Sequence, residues 1–389
     1  MKDKGIMNNQ FNGKRFKAAR LYRGYTLADL AKELGISKQA ISQYENNETQ
    51  PETTNWFNII KKLGFPRDFF YEDTMPEVET FATHFRALTK TKKKDRDAQK
   101  KKGEYLAILY EYLSEFVNFP PFTINDVIKQ NIENPEELAI YLRSILELGD
   151  KPIPDMVYLL EKLGIIVSAL DLNILDIDAY TQKLKINDEY KYLVVLSNDK
   201  KSYVRRNFNC AHELGHILMH SWIEEMELES VSKQQFNELE NQADCFAGAF
   251  LLPKDSFSKD VLRKPSNLDY YKELKLKWKV SIGAMLIRAK NLGILTPYQY
   301  QYLIRQYSAK HWRTNEPYDD NLIMSVPMVL KSATRMVLTK NNWTGSQFMD
   351  KFHSIYNISF PIKEVEYLLN LNKGELETQT KQEEIISLK

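Results

Sequence analysis

The sequence predicts a mainly α-helical protein with a small β-sheet, an α+β chain built of several packed units. Three observations lead there. Apolar residues recur at helical spacing through most of the chain and dominate from about residue 202 onward, while only two short runs, 165–169 and 192–196, are rich in β-branched residues. The length of 389 residues also exceeds what one compact domain holds. The expected order is a helical bundle in residues 1–75, a basic linker and packing helix in 76–129, an α+β domain in 130–318, and a helical region of unassigned role in 319–389.

Composition narrows the function classes. With 43% hydrophobic and 27% charged residues the chain reads as an ordinary soluble globular protein. No run of eighteen apolar residues occurs, and the N-terminus MKDKGIMNNQ lacks the apolar core of a signal peptide. A cytoplasmic protein with no membrane partner is therefore expected. Only two cysteines are present, Cys210 and Cys245, which excludes a disulfide framework and a four-cysteine zinc site. Any metal must be held by His and carboxylate, and both thiols are expected to be buried and structural. The net charge of +2 hides segregation: residues 1–72 carry twelve Lys/Arg against eight Asp/Glu, residues 205–253 three against eight.

Residues 14–71 show several short amphipathic helices. Thr26 and Asp29 can cap one of them, Gly35 can close it at positive φ, and Ser37 can cap the next. Leu27, Leu30, Ala31, Leu34, Ile36, Ala40, Ile41 and Tyr44 then face inward. Lys38, Gln39, Ser42 and Gln43 are left on one outer stripe, from which they can reach base edges and phosphates. Lys14, Arg15, Lys17, Arg20 and Arg23 on the preceding helix add phosphate-binding charge. With the Ile-Ser-x-Tyr-Glu string at 41–45 and Pro51, the segment resembles the helix-turn-helix of the Cro/CI repressor family, XRE type. That resemblance implies double-stranded DNA as a partner. The following run 90–102 packs eight basic and two acidic residues into thirteen positions and reads first as a solvated linker or exposed helix.

Three of the six histidines lie within nine residues, in Asn209-Cys210-Ala211-His212-Glu213-Leu214-Gly215-His216-Ile217-Leu218-Met219-His220. On a helix His212 and His216 lie one turn apart, so both imidazoles can meet one ion, with Glu213 placed to hold a water. His220, one turn further, is expected to be carried away from the ion and to pack or cap. A third ligand is sought downstream. Glu240 and Asp244 share a helix edge, so that Glu240 as ligand would let Asp244 accept the outer N–H of a ligating histidine. Glu238 is the alternative third ligand. Two His and one carboxylate leave a fourth zinc position open. Tyr203, His84, His311 and His353 are open candidates for stabilising an oxyanion, and the acidic loop 223–234 for gating the cleft.

The chain also carries Arg205-Arg206-x-Phe208 before the histidine motif, Glu240-x-x-Ala243-Asp244-x-Phe246-Ala247 with Leu251-Leu252-Pro253 after it, then Trp278-x-Val280-Ser281 and Trp312-Arg313-x-x-Glu316-Pro317. Over roughly residues 130–318 it strongly resembles the ImmA/IrrE family of metallopeptidases. The resemblance implies a gluzincin-like core, one Zn2+ on His212, His216 and Glu240, and Glu213 as the base of a metallo-endopeptidase. It further implies a helix-turn-helix repressor as substrate, cleaved to switch on a stress or mobile-element response. A homodimer is compatible with this reading. The competing expectations are a zinc-binding transcriptional regulator and an antitoxin-like module, neither of them proteolytic.

Overall fold

In a computed structural model the described residues are 10–72, 76–85, 92–172, 177–199, 202–220 and 231–377. The N-terminal helices are α1 (Gly13–Tyr22), α2 (Leu27–Leu34), α3 (Lys38–Glu45) and α4 (Thr53–Leu63), followed by a 3-10 turn at Asp68–Phe70. Local chemistry sets their ends. Thr26 and Asp29 form the expected capping box, Gly35 takes φ +68°, and the Ser37 hydroxyl accepts from the Ala40 N–H at 3.0 Å. Strand β1 (Glu79–Phe85) leads to the long α5 (Lys93–Ser114), then α6 (Asn125–Lys129), α7 (Pro135–Ile145) and α8 (Met156–Lys162).

The sheet is completed by β2 (Ile166–Leu170), β3 (Ala179–Ile186) and β4 (Glu189–Ser197), in the order β1-β3-β4-β2. β3 pairs antiparallel with both neighbours, and β2 pairs parallel with β4. β2 and β4 cover the two runs read from the sequence, whereas β1 and β3 were not anticipated. The β3–β4 turn is made by Asn187 and Asp188, both at positive φ, as a two-residue hairpin requires.

Beyond the sheet run α9 (Tyr203–His220), α10 (Lys233–Leu251), α11 (Lys254–Val261), α12 (Tyr270–Trp278), α13 (Ile282–Asn291) and α14 (Pro297–Ala309). The last three helices are α15 (Val329–Asn341), α16 (Gly345–Tyr356) and α17 (Ile362–Leu368). No helix among the described residues is long and apolar enough to cross a membrane. The acidic loop expected to gate the cleft falls largely on residues 221–230, outside the described residues.

Alternation along the strands gives each sheet face its own core. Ile166, Leu170, Tyr180, Leu184, Leu193 and Val195 join one cluster with α1–α5 and α15–α17, whereas Val167, Ala169, Ala179, Val194 and Leu196 join the other with α7–α14. The basic run is therefore not a free linker: from residue 93 it is the first half of α5, where Ala98, Gln99 and Gly103 are already buried. The helix-turn-helix unit shares its core with α5 and the C-terminal helices through Tyr22, Phe65, Phe69, Tyr105 and Phe360. Tyr22 and Arg23 also bond Glu364 of α17, each at 2.5 Å.

One carboxylate stitches the two halves. Glu161 on α8 is buried, and its Oε1 accepts from the N–H groups of Met328 and Val329, at 2.9 and 2.8 Å, at the start of α15. Burial pushes it from an ordinary 4.5 up to about 7, against the pull of those two N–H groups. A carboxyl whose folded value is raised favours folding below its unfolded value and loses that contribution as pH rises through the folded value. Stability should therefore decline between about pH 4.5 and 7 in the native chain. Glu161→Gln keeps an acceptor at Oε1 and should flatten that decline in urea titrations run across the window.

Candidate functional site

The site lies where α9 and α10 cross under the sheet. Gly215 permits the close approach: a Cβ there would sit 3.0 Å from a ring carbon of Phe246 and 3.3 Å from the Ala243 Cα. Capped at Ser232, α10 then carries Glu240 to the histidines of α9. His212 Nε2 lies 3.4 Å from Glu240 Oε2, His216 Nε2 3.2 Å from Glu240 Oε1, and the two Nε2 atoms 3.0 Å apart. One donor atom from each of the three residues falls within 4.8 Å of the others. Glu238 stands apart from this group and instead accepts from Gln234 on the exposed face.

The outer ring nitrogens show how the donors are prepared. His212 Nδ1 is 2.8 Å from Asp244 Oδ1, so the carboxylate fixes a proton on Nδ1 and turns Nε2 toward Glu240. His216 Nδ1 is 2.9 Å from His220 Nδ1, and His220 Nε2 is 2.9 Å from Gln242 Oε1. An amide oxygen only accepts, so His220 holds its proton on Nε2 and accepts at Nδ1 from His216. His216 thereby turns its Nε2 toward Glu240 as well. Burial and the neighbouring His216 lower His220 to about 4, which keeps it neutral for this relay. His220 is thus not carried away to pack or cap; it orients His216.

Electrostatics fit a cation. Burial works against a charge on His212, yet hydrogen bonds to Asp244 and Glu240 raise it to about 9. Burial also opposes ionisation of Glu240, but its bonds to His212 and His216 hold the carboxyl well below the usual range. Two converging imidazole nitrogens and an ionised carboxylate are a nitrogen and oxygen donor set suited to zinc. Glu213 is buried beside them, its carboxyl raised by that burial, and its Oε2 accepts from the Thr181 hydroxyl of β3 at 2.6 Å. Sequence reasoning missed Thr181, because β3 itself was missed, and Gln242, which no motif marks. Of the thiols, Cys210 is buried as expected but Cys245 is exposed.

On the helix-turn-helix, Lys14, Lys38 and Gln39 are exposed and Ser42 and Gln43 half-buried. Arg15 departs from the phosphate-contacting role expected of it. Its side chain is buried, donates to the Asn357 carbonyl at 2.9 Å, faces Glu72 at 3.6 Å and lies over the Phe69 ring. Arg20 likewise pairs with both oxygens of Glu45, at 2.5 and 3.1 Å, and Arg23 with Glu364. A guanidinium one turn from an exposed lysine cannot be sorted inward or outward from α1 alone, since its acceptors come from distant segments.

The fold and the site define a DNA-reading helical unit joined to a metallopeptidase-type domain. Residues 16–70 match the helix-turn-helix family model, and residues 160–290 match that of the IrrE N-terminal-like domain, peptidase family M78. The chain thus fuses an XRE-type helix-turn-helix to an ImmA/IrrE domain. Comparison with curated proteins found no match.

The two basic residues at the start of α1 should separate cleanly. Arg15→Ala removes half of a buried ion pair and is expected to cost about 3 kcal/mol of stability. Lys14→Ala should leave the denaturation midpoint unchanged, and equal midpoints for both variants would contradict the inward placement of Arg15.

Proposed function

We propose that the chain is a zinc-dependent endopeptidase whose substrate is a helix-turn-helix repressor, and that its own helix-turn-helix binds double-stranded DNA. The observation that carries the reading is the convergence of buried His212 and His216 with Glu240, beside buried Glu213. The reading keeps the divisions 1–75, 76–129, 130–318 and 319–389, a cytoplasmic setting, and a role in switching on a stress or mobile-element response.

His212 Nε2, His216 Nε2 and Glu240 would hold the ion, and bound zinc would supply a Lewis acid that polarises a peptide carbonyl and acidifies water. Glu213 takes the proton of the attacking water and returns it to the leaving amine. The raised carboxyl of Glu213 suits both transfers, and the Thr181 hydroxyl fixes one of its oxygens. Asp244 and the His220–Gln242 pair hold the ring protons away from the donor atoms. A purely structural zinc site has no use for a buried carboxylate between its ligands, which favours hydrolysis over the non-proteolytic readings.

Metal and turnover should part company in substitutions. His212→Ala, His216→Ala and Glu240→Ala are expected to lose one zinc per chain, and Asp244→Ala to bind it about 10-fold to 100-fold more weakly. Glu213→Gln should retain the metal and lose repressor cleavage. Metal analysis beside a cleavage assay checks this, and full zinc in Glu240→Ala would move the third ligand elsewhere.

On DNA, Lys38, Gln39, Ser42 and Gln43 are proposed to face the major groove, with Lys14 on the backbone. Gln39→Ala in the full chain should reduce discrimination between sites more than overall affinity. Lys14→Ala should weaken all sequences alike and lower the salt slope by about one. Titrations of operator and random duplexes at several salt concentrations measure both. A DNA reader on the same chain would raise the local concentration of repressors bound nearby.

A further inference from the structure

The residues of the candidate site are closed off. His212 is 1% exposed, Glu213 2% and His216 2%, so a peptide carbonyl comes within reach of Glu213 only if a neighbouring element moves. Glu213 is held by Thr181 of β3, and β3 is bordered by β4 on one side and by β1 on the other. β4 is fixed, since Val194, Val195 and Leu196 are buried and both cores close over it. β1 is the edge strand.

The register places β1 at the site. In the antiparallel β1–β3 ladder Thr83 is opposite Gln182, His84 opposite Thr181 and Phe85 opposite Tyr180. Facing residues of such a pair have Cα atoms about 5 Å apart, so the main chain of β1 runs alongside the β3 residue that holds Glu213. Its hold is slight. The ladder is broken between Thr80 and Thr83, whereas that of β3 with β4 is continuous. Glu79, Thr80 and Phe81 join neither core. Phe81 rests on the Tyr190 ring, 5.2 Å away, with the Lys183 ammonium over both rings. Gln182, fully buried opposite Thr83, keeps its Oε1 without a hydrogen bond, and its Nε2 reaches Thr80 Oγ1 and the Lys100 carbonyl only at 3.5 Å. A buried acceptor left open costs stability, so the sheet is less well satisfied along this edge than along β4.

We propose that β1 is a resident strand in the place of the substrate, and that the peptidase binds an extended segment of its substrate along the β3 edge once β1 has left it. The inference rests on the hydrolytic reading and adds how that site is reached and regulated. A strand edge holds an extended peptide by main-chain hydrogen bonds whatever its side chains, which presents one carbonyl at a fixed place. Only one chain can pair with the edge at a time, so β1 and the substrate exclude each other. β1 also stands between two fixed points. Before it, Glu72 accepts the Ser359 N–H at 2.7 Å, and after it α5 is tied to α2 by Lys94 and Asp29 at 3.1 Å. A partner that draws Glu72 away from α5 therefore pulls on the strand that bars the site.

The test uses the full chain loaded with zinc. Cys245→Ser removes the exposed thiol, and Thr83→Cys with Gln182→Cys lets oxidation tie β1 to β3. The oxidised form should cleave a helix-turn-helix repressor about tenfold more slowly than the same protein after reduction. Phe81→Ala with Thr83→Pro removes the ring contact and a main-chain donor, and should cleave faster than the native chain. Equal rates for the oxidised and reduced forms overturn the proposal, as does unchanged or slower cleavage by the double variant with zinc content and thermal unfolding retained. A labelled peptide of residues 77–86 gives a reading that needs no hydrolysis. In Glu213→Gln backgrounds it should bind the Phe81→Ala, Thr83→Pro chain about tenfold more tightly than the oxidised chain, and equal binding or none counts against the resident strand. Cleavage by every form at one rate removes the resident strand and leaves hydrolysis. Cleavage by none, with peptide binding that follows the state of β1, removes hydrolysis and leaves the strand.

Discussion

The arrangement depends on the alternation of side chains along β3. Tyr180 and Gln182 point toward α5, where Tyr180 donates to the Gln99 carbonyl at 3.3 Å. Between them Thr181 points the other way and holds Glu213. One strand therefore faces the layer that carries the helix-turn-helix and the layer that carries His212, His216 and Glu240. A register slip of one residue would exchange the faces, placing Thr181 against α5 and Tyr180 against the buried Glu213. β4 enforces the register over eight paired positions, and the Asn187-Asp188 turn leaves the hairpin no slack.

Around the donors the same economy governs protons. Each imidazole turns one nitrogen toward Glu240 and gives the other to a partner that keeps the ring in place, Asp244 for His212 and His220 for His216. The two partners differ in kind. A carboxylate at His212 attracts positive charge, whereas a neutral ring at His216 supplies direction without charge.

Much of this was legible in the sequence, for reasons that differ by element. Caps and turns are local, so Thr26, Asp29, Gly35 and Ser37 could be read directly, and the one-turn spacing of His212 and His216 likewise. Glu240 and Asp244 could be paired because both sit on one helix edge. β3 could not be read, since Thr181, Gln182, Lys183 and Lys185 break the apolar pattern of a buried strand and its polar groups are answered only by other segments. Arg15 failed for a related reason: Glu72 and Asn357, its acceptors, are 57 and 342 positions away. The Asn187-Asp188 pair was the available sign of a hairpin, and it points backward from β4 to the strand that was missed.

The aromatic cluster beneath the helix-turn-helix bears on how such a chain could evolve. The ring of Tyr105 of α5 lies 4.5 Å from that of Phe360, Phe65 lies 4.6 Å from Phe69, and Tyr22 lies between 5.6 and 5.7 Å from Phe65, Tyr105 and Phe360. These rings come from three stretches of chain far apart in sequence, and none covers the others alone. Recombination that exchanged the first seventy residues for another reader would leave Tyr105 and Phe360 facing solvent. Replacement of the reader is therefore constrained to occur together with change in α5 and the last helices, so that the ancestry of the N-terminal unit should be recorded in residues that never approach DNA.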